Sequence, residues 1–148
     1  MNDHIRDLFL HPHPTYSIAD AASVLGMDVR EVQGWVEVGE LEGVETANEV
    51  VLPWTEVVSF AMDFWSQEAI EKALGDDLAT VIPELVRLAR LEVLVPRFEI
   101  VALERVAGRE GKSVDAVLAR ELLDFVSVQS PGIGAEVAGF AEALQWPE

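Results

Sequence analysis

The sequence predicts a mainly helical protein built from two small modules, and three observations predict it. Apolar residues recur at i, i+3, i+4 and i+7 along most of the chain, bracketed by Ser, Asp and Gly where helices start and stop. A single stretch, residues 90–95, alternates with the period of a strand and runs into a proline. Hydrophobic residues make up 50% of the 148 positions, which supports packed cores and argues against general disorder.

Residues 1–14 carry His4, His11, His13, Pro12 and Pro14 without a helical period and read as an N-terminal arm. With no cysteine nearby, the histidines read as arm decoration rather than as a metal site. Ser17 caps a helix carrying Ile18, Ala21, Ala22 and Leu25, which Gly26 ends. Asp28 opens a second helix through Val29, Val32, Trp35 and Val36, stopped by Gly39. Val44–Leu52 alternates weakly around Ala47-Asn48, the pattern of a short two-stranded wing. The next helix, from Trp54 to Trp65, turns Val57, Val58, Ala61, Met62 and Trp65 inward. Trp35, Trp54, Phe60, Phe64 and Trp65 stand at helical spacing and are assigned to the core. Residues 66–89 read as a helical linker: Ser66 caps a helix ending at Gly75, Asp76-Asp77 marks a helix start, and Pro83 opens a short helix through Leu88.

The second module spans residues 90–128. Leu91, Val93 and Val95 alternate with Arg90, Glu92 and Leu94. Pro96 then opens a helix from Arg97 to Glu110 with Ile100, Leu103, Val106 and Ala107 on one face. Gly111 ends it, and Ser113 caps a helix with a stripe of Val114, Val117, Leu118, Leu122 and Phe125. The run Ser130-Pro-Gly-Ile-Gly134 breaks that helix, and a last short helix, Ala135–Leu144, sits in an acidic tail, residues 129–148. A lone strand cannot satisfy its own backbone groups, so the same strand of a second subunit is its simplest partner. A homodimer follows from that need.

Two resemblances rest on these residues. The segment YSIADAASVLGMDVREVQGWVEVGELEGVE, within residues 15–65, resembles the winged helix-turn-helix of the MerR and excisionase kind. LEVLVPRFEIVALERVAGREGKSVDAVLARELLDFV resembles the ribbon-helix-helix modules of Arc repressor and bacterial antitoxins. The resemblances imply a winged helix-turn-helix-like front and a ribbon-helix-helix module whose two-stranded ribbon forms between subunits. Leu91, Val93, Val95, Ile100, Leu103, Val117, Leu118 and Leu122 would then make the dimer. Arg90, Glu92 and Leu94 would face the major groove, with a phosphate at Lys112 and Ser113. Arg30 and Gln33 would lie on the base-reading helix of the front module. The implied function is that of an antitoxin: a dimeric transcriptional regulator of its own operon that also binds a toxin protein. Ile133, Val137, Phe140, Leu144 and Trp146 of the tail are the candidate toxin-binding residues.

Charge bears on both. The formal net charge is −17, the wrong sign for a protein that holds phosphates. From Thr15 to Trp65, Arg30 stands alone against 10 acidic side chains, whereas residues 90–128 hold six basic and seven acidic ones. The second module is therefore the better DNA face. The front carries the alternative reading, an acidic protein-interaction module that binds a basic partner or mimics DNA. No nucleophile–base pair, phosphate loop or acid–base pair stands out, so neither an enzyme nor a cofactor is expected. The absence of a secretory leader and of an apolar run near the roughly 20 residues of a span leads to a cytoplasmic expectation, away from membranes.

Overall fold

Ile5, Leu8 and Phe9 follow the i, i+3, i+4 spacing of one helical face, and helix α1 (Asn2–Leu10) buries all three almost completely. The expected N-terminal arm is therefore a core helix. Its stripe spans only two turns and is followed by Pro12 and Pro14, which is why no long period signals it. In this computed structural model, which describes residues 1–148, the chain divides into two units. One is Met1–Leu88 with Gln145–Glu148; the other is Ala89–Leu144.

In the first unit, strand β1 (Thr15–Ser17) leads directly into α2 (Ile18–Leu25). The Ser17 hydroxyl accepts the Asp20 N–H at 3.1 Å and satisfies one of the helix's free donors. Gly26 ends α2 at φ 68°, and an added Cβ would lie 3.0 Å from the His4 ring, so both the backbone and the close approach of α1 require glycine there. Helix α3 (Val29–Glu37) starts at a reciprocal cap: Asp28 accepts the Arg30 N–H at 2.8 Å while Glu31 accepts the Asp28 N–H at 2.9 Å. β2 (Val44–Glu45) and β3 (Val50–Pro53) form the expected hairpin. β3 also pairs with β1, Tyr16 opposite Leu52, giving a three-stranded antiparallel sheet in the order β1-β3-β2. Helix α4 (Trp54–Phe64) follows, with Val57, Val58 and Ala61 buried.

Residues 66–88 are not a linker. Ser66 caps α5 (Gln67–Leu74), whose Ile70, Ala73 and Leu74 join the same core, as does Ile82 beyond α6 (Leu78–Val81). Pro83 opens a single 3-10 turn, Glu84–Val86, rather than an α-helix to Leu88. Arg6 ties α1 to this segment: its guanidinium donates to the Ala73 and Leu74 carbonyls at 3.1 and 3.3 Å and to Asp77 at 2.6 Å. A cation on the last carbonyls of α5 complements that helix's dipole. The Trp54 indole N–H donates 3.1 Å to the Leu8 carbonyl, one of the acceptors α1 leaves free at its own end.

The second unit is an extended stretch followed by α7 (Arg97–Glu110), which Gly111 ends, and α8 (Val114–Glu136), capped by Ser113 at 3.1 Å. The expected break at residues 130–134 does not occur, because α8 runs through Pro131. Proline removes the donor that would have met the Ser127 carbonyl; the Ser130 hydroxyl donates to that carbonyl instead, at 3.0 Å. The helix ends at Val137, and α9 (Phe140–Gln145) follows, shorter than the expected Ala135–Leu144. Residues 90–95 pair with nothing in the chain and form no ladder. Ala107 and Val117 are the only buried residues of this unit.

If α1 is part of the core, Leu8→Ala costs about 2–5 kcal/mol in denaturant unfolding monitored by tryptophan fluorescence. A peripheral arm would give a change within about 0.5 kcal/mol.

Candidate nucleic-acid and partner interface

The extended segment presents every side chain to solvent. Arg90 and Glu92 project on the same side of it and approach each other to 3.5 Å, both largely exposed, while Leu94 is fully exposed. The alternate residues Leu91, Val93 and Val95 are exposed as well, at 70%, 57% and 38%. Their alternation places the apolar set and the Arg90–Glu92–Leu94 set on opposite faces of an extended backbone.

Between α7 and α8 lies an open apolar groove of about 390 Å³ lined by Phe98, Ala102, Leu103, Val106, Val117 and Leu118, with Glu99 and Glu121 at its edge. Of the expected dimerisation residues, Leu103, Val117 and Leu118 meet there, whereas Ile100 and Leu122 remain 42% exposed. Phe98, Phe125 and Val128 are more exposed still. Exposed apolar area of this extent on two helices is what a partner surface looks like.

Lys112 and Ser113 sit at the turn from α7 into α8. The Lys112 N–H closes the end of α7 on the Ala107 carbonyl at 3.0 Å, and its side chain is free of ion pairs. The Ser113 hydroxyl is occupied as the cap of α8. Two turns along α8, Arg120 donates to Glu110 at 2.7 Å and to Glu121 at 3.3 Å. This contact, missed in the sequence because Glu110 and Arg120 lie on different helices, bridges α7 and α8 at their exposed surface. The Arg120 hydrogen bond, aided by the charges of Arg120 and Lys112, holds the Glu110 carboxyl below its ordinary pKa, and the same contact raises that of Arg120.

The front module offers less to a phosphate. Arg30 is exposed and unpaired near the start of α3. The Gln33 amide, the candidate base reader, donates to Glu37 at 3.2 Å instead. The first unit carries 18 acidic side chains against four basic ones, a net −14, while the second carries nine against six, a net −3. The tail residues separate: Ile133 lies inside α8, Val137 caps it, and Phe140 and Leu144 lie on α9. Trp146 is not a free anchor for a partner. It stacks on Phe9 of α1, ring centroids 6.4 Å apart, and packs on the first unit's core.

Trp35 and Phe64, assigned to the core from their spacing, are instead 41% and 54% exposed, and Phe60 lies between them, stacked on Phe64 and tilted against Trp35. Trp65 is the fully packed member of that set, and Trp54 is partly buried. No protein-family model, curated protein or solved structure gives a significant match to this chain. No helix is long and apolar enough to cross a membrane.

Because folding lowers the Glu110 pKa, its contribution is complete above the ordinary carboxylate pKa and is lost as pH falls through the lower folded value. The thermal stability of the second unit should therefore begin to fall as the pH drops below the ordinary carboxylate pKa. In Glu110→Gln that acid-side slope should shrink; an unchanged slope would show that the contact with Arg120 contributes nothing.

Proposed function

We propose that this chain is an antitoxin-like transcriptional regulator that dimerises through residues 90–95 and helices α7 and α8, binds operator DNA with the resulting ribbon, and binds a toxin protein. Its architecture on this reading is a winged helix-turn-helix-like front module and a ribbon-helix-helix module. The observation that carries the reading is the unmet demand of the second unit. Residues 90–95 leave their backbone donors and acceptors without partners in the chain, directly before two helices that bury only Ala107 and Val117. A second copy, related by a twofold axis, supplies an antiparallel strand to the first and covers the open groove. Arg90, Glu92 and Leu94 then line the outer face of the ribbon, and Lys112 stands at the α8 N-terminus, where a phosphate is favoured.

A second reading, an acidic module that binds a basic protein, is favoured by a separate observation: the first unit's net −14, with Gln33 engaged by Glu37. The two readings separate on DNA in that only the first requires it to be bound.

The test combines sedimentation of the full chain with gel shift of its upstream promoter fragment, alone and with the adjacent gene's product co-expressed. A dimer is expected, with Val93→Lys shifting it towards monomer. The shift should weaken with salt, and Arg90→Ala should reduce affinity by about 1–3 kcal/mol, between about fivefold and 160-fold. Failure to bind DNA at low salt would eliminate the regulator reading and leave the acidic module.

A further inference from the structure

We propose that α3 and α4 of the first unit form a docking face for a basic amphipathic helix of a partner protein, with Trp35 as its aromatic anchor. The proposal rests on the acidic-module reading and gives that module a surface and a partner chemistry.

Three features converge on this face. Trp35, Phe60 and Phe64 form a continuous aromatic ladder, with centroids 5.7 Å and then 6.1 Å apart, whose two ends remain open to solvent. Val38, 69% exposed, extends the apolar surface past Trp35. Beside them, Arg30, Glu31, Gly34, Trp35 and Val38 line a shallow hollow of about 340 Å³. Its floor is Gly34, where an added Cβ would meet nothing within 4 Å, so a foreign side chain can approach the α3 backbone closely.

The charge around the ladder identifies the occupant. Glu31 precedes Trp35 by four residues and so stands one turn from it on α3. Glu56 and Asp63 stand at i−4 and i+3 from Phe60 on α4. Arg30 is the one cation between Thr15 and Trp65, against 10 carboxylates. Apolar side chains of a partner helix would cover the ladder while its Lys and Arg side chains meet these carboxylates and the faces of Trp35 and Phe64. Duplex DNA, the ligand implied for α3 by the winged helix-turn-helix resemblance, meets the same carboxylates and is repelled.

The experiment uses the full chain labelled with nitrogen-15 and a helical Leu/Lys peptide bearing one apolar face, with a Leu/Glu peptide of the same pattern as control. Four indole N–H signals report on four sites, since Trp35, Trp54, Trp65 and Trp146 are the only tryptophans. The Leu/Lys peptide should move the Trp35 signal and leave that of Trp54, whose N–H is bonded to Leu8, in place. Trp35→Ala should weaken the peptide about tenfold or more, in the range of an aromatic anchor. Gly34→Met fills the hollow at an open helical position, so it should block binding without lowering the melting temperature. Raising salt from about 50 to 300 mM should weaken binding further.

Peptide binding that leaves the Trp35 signal still overturns the docking face but preserves the acidic module. No binding at low salt overturns both. A Trp35 signal that moves with protein concentration alone assigns the face to self-association, and one that moves with duplex DNA assigns it to nucleic acid; either result overturns the proposal. The gel shift by the ribbon is independent of all these outcomes.

Discussion

The first unit depends on the burial of one short helix. A sheet of three strands, the longest of four residues, and helices of eight to 11 residues leave one side of a core uncovered. Ile5, Leu8 and Phe9 supply that side. The polar contacts of α1 serve the same closure: Arg6 satisfies the end of α5, Trp54 satisfies the end of α1, and His4 lies under Gly26. Each matches a free backbone group or a missing side chain at a helix terminus, so α1 is fixed in position as well as buried.

The second unit meets the opposite condition. Its hairpin is well specified locally, with a serine cap, a glycine end and the Glu110–Arg120 contact, yet local order is not a core. Two helices that leave Phe98, Ile100, Leu122 and Phe125 in water gain little of the burial that offsets chain entropy. The proposed dimer would resolve this without new sequence, because each copy would offer its extended segment, residues 90–95, to the other. On that proposal association and folding of this unit would be one equilibrium, and its stability would depend on concentration.

Charge differs sharply between the units. Near-neutral charge lets the second approach phosphates, whereas the carboxylates of the first favour cationic protein surfaces. The aromatic ladder stands within those carboxylates, which joins apolar contact area to charge selection on one face. If both proposed surfaces are used, DNA binding by the second unit could be biased by the protein that the first engages.

Sequence alone determined what is local. Caps at Ser17, Asp28, Ser66 and Ser113, the ends at Gly26 and Gly111, the β2–β3 hairpin, and the span Arg97–Glu110 all follow from residues within a turn or two of one another. So does the exclusion of disulfides, and so does the segregation of charge. Tertiary structure decided which apolar faces are covered, because periodicity marks a face without naming what lies against it. Ile5, Leu8 and Phe9 are covered, Trp35 and Phe64 are not, and Trp146 returns to Phe9, all through contacts far apart in the chain. Pro131 shows the same limit at shorter range: a breaker was tolerated because Ser130 supplied the hydrogen bond that proline removed.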